Sequence, residues 1–103
     1  MVPALLFVFD TMLYLYIVYF IQHSLSHEIY IGFTKNLTQR LKSHNSNQNT
    51  VTKFHDGNWI LVYAEAYRSE SDARVRELKL KHHGSSKHGV MKRIVSSLIE
   101  DKK

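Results

Sequence analysis

Tyr14-Leu-Tyr-Ile-Val-Tyr-Phe-Ile21, His23-Ser-Leu-Ser26 and Glu28-Ile-Tyr-Ile-Gly-Phe33 follow one another in the first third of the chain. The outer runs are β-branched and aromatic, which suits a pleated, half-buried surface, and the short polar run between them has the length of a hairpin loop. Two antiparallel strands are predicted. With the turn centred between Ser24 and Leu25, Tyr19 faces Tyr30 across the ladder, and opposed side chains share a sheet face.

Downstream, Asn36-Leu-Thr-Gln39 has the form of a helix start, with Asn36 as N-cap and Gln39 three residues on. Leu37, Arg40, Leu41 and His44 then fall on one helical face. A polar run, Asn45-Ser-Asn-Gln-Asn49, reads as the loop that ends this helix. Trp59-Ile-Leu-Val-Tyr-Ala-Glu-Ala-Tyr67 reads as a third strand. Ser69 caps a helix to about His83, Gly84-Ser-Ser86 breaks it, and a last helix over about Lys87–Glu100 lines up Val90, Ile94 and Leu98. The order β-β-α-β-α-α predicts an α+β domain, a three-stranded antiparallel sheet flanked by helices, over residues 14–100.

The chain has 103 residues and one core's worth of apolar sequence, and it contains no cysteine. That excludes a disulfide framework, a thiolate metal site and a cysteine nucleophile. Residues 1–13 form an apolar N-terminal extension, and Met12 offers an alternative start. Residues 2–21 are long enough to span a bilayer, which keeps a membrane-anchored protein among the readings. Against that reading, Asp10 would sit mid-span, no Lys or Arg precedes the stretch, and its second half is strand-like.

Lys+Arg outnumber Asp+Glu by 14 to 9, giving a net charge of +5 that points to a polyanion. Residues 33–55 carry Lys35, Arg40, Lys42 and Lys53 and no acid. Residues 74–93 carry seven cations and one acid, Glu77. The cations read either as solvated helix faces or as a phosphate-binding surface. Glu77 reads either as an i,i+4 partner of Lys81 or as a carboxylate ligand for a hard divalent cation, since Mg²⁺ often takes one or two carboxylates and completes its shell with water and phosphate. Arg40 can lay its stem on apolar surface or hold a phosphate bidentately. His44 is either an edge histidine or a proton-transfer group. His82, His83 and His88 are poorly spaced for a metal, because adjacent helical residues diverge by about 100°.

Taken in order, Ile17-Val18-Tyr19, Tyr30-Ile31-Gly32, Arg40-Leu41 with His44-Asn45, and Glu77 with Leu80-Lys81 resemble the GIY-YIG nuclease domain. The similarity runs over about residues 14–95, nearest to small standalone members and to the UvrC-like and SLX-type endonuclease domains. Supporting runs are Ile31-Gly-Phe-Thr34, Leu61-Val-Tyr63 and Ser71-Asp-Ala-Arg-Val-Arg-Glu77. The resemblance implies a divalent-metal-dependent endonuclease that hydrolyses DNA phosphodiester bonds, in repair or on branched structures. Tyr19, Tyr30, Arg40, His44 and Glu77 would be catalytic, with Glu77 binding Mg²⁺ or Mn²⁺. Tyr19 would activate or orient the attacking water, its pKa lowered by Arg40 and the metal. Tyr30 would share its network, Arg40 would neutralise transition-state charge, and His44 would assist as a proton-transfer or phosphate contact. Lys35, Lys42, Lys53 and Lys81 are the candidate substrate-binding cations, and Gly32 would allow a close backbone approach.

Three departures from the family pattern stand out, one being the apolar residues 1–13, which lie outside it. Ile17 occupies the first glycine position, which a strand tolerates. No Asn follows Asn58, where many members carry a functional one. That leaves a catalytically inactive nucleic-acid-binding module as the alternative function. The expected partner is DNA, with no obligate membrane, in the cytoplasm, and a partner protein would supply substrate specificity.

Overall fold

A computed structural model describes residues 14–46 and 56–100 of the chain. Its elements are β1 (Tyr16–His23), β2 (Ile29–Thr34), α1 (Leu37–Asn45), β3 (Trp59–Tyr67), α2 (Glu70–His82) and α3 (Gly84–Arg93), followed by a 3-10 turn at Val95–Ser97. The sheet is antiparallel in the order β2-β1-β3, so the most apolar of the three strands lies in the centre. Alternation along β1 divides the core in two. Val18 and Phe20 face Ala73 and Leu80 of α2 and Val90 and Ile94 of the α3 segment. Tyr19 and Ile21 face the other way, with Trp59, under Leu37 and Leu41 of α1. The α+β reading and the order of elements hold. Residues 16–21 of the apolar N-terminal run are the central strand, and among the described residues no helix is long and apolar enough to cross a membrane. Residues 1–13 lie outside the described residues.

Both N-caps form as the spacing predicts. The Asn36 side chain accepts from Gln39 N at 3.1 Å, and Ser69 Oγ accepts from Asp72 N at 3.3 Å. Two boundaries differ from the sequence reading. Residues 24–28 join the two strands, rather than 23–26, because His23 stays in the strand: its backbone N donates to Glu28 O at 2.9 Å, and its ring Nδ1 accepts from Leu25 N and Ser26 N, each at 3.3 Å. The register therefore pairs Tyr19 with Gly32 and Ile21 with Tyr30, not Tyr19 with Tyr30. A two-residue slip preserves side-chain facing, so the two tyrosines still share a face, now as diagonal neighbours. The last helix begins at Gly84 and ends at Arg93, not 87–100. His83 alone, with extended backbone, separates α2 from α3, so the Gly-Ser-Ser run starts a helix instead of spacing two.

One polar cluster ties α2 to the sheet. Arg76 Nε and Nη2 donate to the two Glu65 carboxylate oxygens at 2.9 and 3.0 Å, and the hydroxyls of Tyr63 and Tyr67 donate to the same carboxylate. Burial alone would raise the Glu65 carboxyl, but these four donors bond its charged form and hold it down at about 2. Burial and the carboxylate push Tyr67 up to about 12. A depressed carboxylate contributes stability that is complete above its unfolded pKa, about 4.3, and is lost as pH falls toward the folded value. The cluster is thus expected to stabilise the fold at neutral pH and to lose that contribution in acid. Arg76→Ala should cost about 2–4 kcal/mol in chemical denaturation and move acid unfolding to higher pH. An unchanged acid midpoint by circular dichroism would remove the cluster from the stability of the fold.

Candidate active site

The site is built on the α1 face of the sheet and at its β2 edge. Tyr19 projects from the centre of β1, is 1 % exposed, and its ring lies across Gly32 of the neighbouring strand. A Cβ at Gly32 would meet Tyr19 Cζ at 2.5 Å and Cε1 at 2.9 Å and would press on the hydroxyl. The glycine is required because the phenol occupies the volume of its missing side chain. Gly32→Ala is expected to displace the ring, cost about 1–3 kcal/mol and abolish the contact described next. Unchanged stability in urea would contradict that packing.

His44, on the last turn of α1, is equally buried and meets Tyr19: Tyr19 Oη and His44 Nε2 are 2.7 Å apart. With the imidazole neutral and its proton on Nδ1, the phenol donates and Nε2 accepts. Tyr30 closes the group, its ring centroid 6.3 Å from that of Tyr19 and 5.0 Å from that of His44. Trp59 forms a wall, 6.4 Å from Tyr30 and 6.5 Å from His44. Asn45 fixes the helix that carries His44, as its Nδ2 donates to Trp59 O at 3.0 Å and its Oδ1 accepts from Trp59 N at 2.6 Å. The sequence reading gave Asn45 as the start of a loop and as part of the family-like pair His44-Asn45, without a role, and Trp59 only as strand. The signal for both was an amide next to the histidine and an aromatic at the head of a strand, and neither has meaning until the two segments meet.

Glu77 approaches from α2 with its side chain 12 % exposed. Lys81 Nζ lies 3.1 Å from Glu77 Oε2, and Arg74 Nη1 lies 3.9 Å from Oε1. Lys81 Nζ also stands 5.9 Å from the centre of the Tyr30 ring, which joins α2 to the tyrosine cluster. Electrostatics carry the same convergence. Burial pushes the Tyr19 phenol well above its ordinary value, Tyr30 and Glu77 push it further, and Arg40 pulls against them. Arg40 does lower the phenol as the sequence reading expected, but desolvation outweighs it. The phenol is therefore protonated at neutral pH. Burial, then Arg40, lowers the His44 imidazole, which favours its neutral form.

Arg40 is exposed and lines an open depression of about 510 Å³ with Thr34, Asn36, Gln39, Lys42, Ser43 and Ser46. The lining supplies hydroxyl, amide and guanidinium donors and no carboxylate, a chemistry suited to a phosphate. Lys42 belongs to this depression and Lys81 to the Glu77 edge. Lys35 does not join them: its ammonium pairs with Glu70 at 3.5 Å and stands 5.7 Å from the Tyr16 ring, on the other face of the sheet. Lys53 lies outside the described residues.

Among the described residues no three His, Asp or Glu side chains gather into a metal cluster. Glu77 is a lone carboxylate, and its two oxygens already face cationic side chains. A single carboxylate can hold a hard divalent ion whose shell is completed by water and a substrate phosphate, but the ion would have to displace these cations. Lys81 is 36 % exposed, and Arg74, 56 % exposed, lays its guanidinium over the Phe33 ring, 3.8 Å from its centroid.

Comparison with known proteins gives a family match. The family model described as the GIY-YIG catalytic domain matches residues 15–93. A search of curated proteins finds no match. Among solved structures, the chain is similar to the solution NMR structure of the UPF0213 protein BH0048 from Bacillus halodurans, with 23 % identity, 78 % of this chain and 86 % of that chain covered, and a TM-score of 0.49.

Proposed function

The chain belongs to the GIY-YIG catalytic domain family, a family of nucleases, and from that premise we propose that it is a divalent-metal-dependent endonuclease hydrolysing DNA phosphodiester bonds. The observation that carries the reading is the contact of Tyr19, Tyr30 and His44, close enough to Arg40 and Glu77 for both to act on the Tyr19 phenol. Repair or branched DNA as the substrate, and the cytoplasm as the place of action, belong to the same proposal.

The buried pair Tyr19–His44 handles the proton. Tyr19 orients the attacking water and takes its proton while passing its own phenolic proton to neutral His44 Nε2. No free phenolate is then needed, which resolves the difficulty of a phenol held above its usual pKa. At 1 % exposure, Tyr19 addresses only a water enclosed with the phosphate. Tyr30, half-buried beside both groups, keeps that water and the rings in register. Arg40, at the mouth of the depression, neutralises charge developing on the phosphoryl oxygens, where preorganised donors act most strongly. Glu77 is the residue that would hold Mg²⁺ or Mn²⁺, and such an ion when bound supplies Lewis-acid stabilisation of the phosphoryl and leaving oxygens.

The test is incubation of purified protein with end-labelled duplex, nicked and flapped DNA, with Mg²⁺ or Mn²⁺ and with chelator. Cleavage that requires the ion is expected. The absence of an Asn after Asn58 favours the alternative of a binding module, and binding without cleavage under every condition would establish that alternative instead.

A further inference from the structure

The positive charge of this protein is unevenly placed once the fold is known. Arg76, Arg74, Lys81 and Lys35 are all answered by carboxylates, namely Glu65, Glu77 and Glu70. Residues 78–99, by contrast, contain Lys79, Lys81, Lys87, Lys92 and Arg93 and no Asp or Glu. These 5 of the chain's 14 Lys+Arg leave 9 elsewhere against 9 Asp+Glu, so the +5 of the whole chain resides in this one stretch. Within it Lys79, Lys87, Lys92 and Arg93 make no ion pair among the described residues.

Helix dipoles do not explain the placement. They favour cations in the last turn, which covers Lys79, Lys92 and Arg93, but Lys87 lies in the first turns of α3, where a cation is disfavoured. The stretch also lies apart from the tyrosine cluster. Val90 and Ile94 anchor it in the core on the opposite side of the sheet from Tyr19 and His44. α3 packs against α2, the helix that carries Glu77 and Lys81.

We infer that the unpaired cations of α2 and α3, Lys79, Lys87, Lys92 and Arg93, together make a second nucleic-acid contact, which grips the phosphate backbone of an arm of the substrate away from the scissile bond. The inference rests on the nuclease reading for the identity of the polyanion. It makes the substrate an extended or branched polymer that runs from the Arg40 depression, past Glu77 and Lys81, to α3. A polymer of regularly spaced charges is what an uncompensated basic surface binds, through release of condensed counterions. These cations supply affinity and leave the chemical step to the other face.

The test compares wild type with the triple variant Lys87→Gln, Lys92→Gln, Arg93→Gln, whose folding is checked by circular dichroism. Binding of a fluorescent duplex of about 30 bp, some 100 Å long, is followed by anisotropy in chelator across a KCl series. The cleavage rate at saturating protein is then measured with Mn²⁺. The variant is expected to bind roughly tenfold or more weakly at low salt, with a log K against log salt slope shallower by about 2.7, and to cleave bound DNA at the wild-type rate. Unchanged affinity and slope would make these cations a solvated helix face and overturn the inference. A loss of saturated rate without loss of affinity would place the residues in the catalytic site and overturn it as well. So would unchanged duplex binding accompanied by lost binding to anionic phospholipid vesicles, since these cations would then be a membrane contact. The binding arm needs no turnover, so a wild type that fails to cleave counts against the nuclease reading and leaves this result standing by itself.

Discussion

Glu77→Gln is expected to reduce metal-dependent cleavage by roughly 10³-fold or more while leaving DNA affinity unchanged or slightly tighter. The substitution keeps the side chain's size and removes its charge. Its carboxylate is only 12 % exposed and is the counter-charge of both Lys81 and Arg74. Neutralising it frees two cations toward the phosphate backbone, which is why binding should not fall. The same loss of charge removes the residue assigned to the divalent ion, so the loss appears in the rate. Single-turnover cleavage with protein in excess separates the two effects. A rate within tenfold of wild type would show that this carboxylate serves only the helix, as an i,i+4 partner worth about 0.2–0.5 kcal/mol.

Tyr19→Phe should be nearly as damaging to the rate, by about 10²–10⁴-fold, the range of a lost proton-transfer group. The ring is retained, so the packing across Gly32 survives. What disappears is the 2.7 Å bond to His44, and with it a buried polar group loses its phenolic partner, at a cost of about 1–3 kcal/mol. Folding is expected to persist, with a lower urea midpoint. In the wild type, the pH–rate profile should fall on the acid side only below the ordinary imidazole value of about 6.5, because burial and Arg40 lower His44 and the pair needs it neutral. An acid limb centred above pH 7 would be incompatible with His44 as the acceptor.

What the sequence made legible was local. The two N-caps, the three strands and their order depend on neighbours within a few residues, and Asn36 and Ser69 cap as their spacing demands. The shared face of Tyr19 and Tyr30 survived an error in register because the slip was by two residues, which the pleat forgives. The slip goes with His23, whose ring accepts from the loop amides and which ends β1 two residues beyond Ile21. The corner at His83 was misread because Gly84-Ser-Ser86 has the composition of a loop yet begins α3. The candidate site was legible as a set of residue types and not as an arrangement. That Tyr19 fills the space beside Gly32, that Asn45 pins α1 to Trp59 and that Glu65, far along in sequence, neutralises Arg76 are all consequences of tertiary contact. Counting charges along the chain gave a broad basic surface, and the fold shows which of its cations are paired: Lys35, Arg74, Arg76 and Lys81 meet carboxylates, whereas Lys79, Lys87, Lys92 and Arg93 make no ion pair among the described residues.

The most direct test of a single phosphodiester-cleaving site shared by β1 and α2 is a double-mutant cycle between Tyr19→Phe and Glu77→Gln, read as single-turnover cleavage of bound duplex. Groups that act together on one phosphate are strongly non-additive. The double variant is therefore expected to be about as slow as the slower single variant. Losses that multiply across the two positions would mean that the phenol and the carboxylate act independently, and the site assembled here from both would not exist.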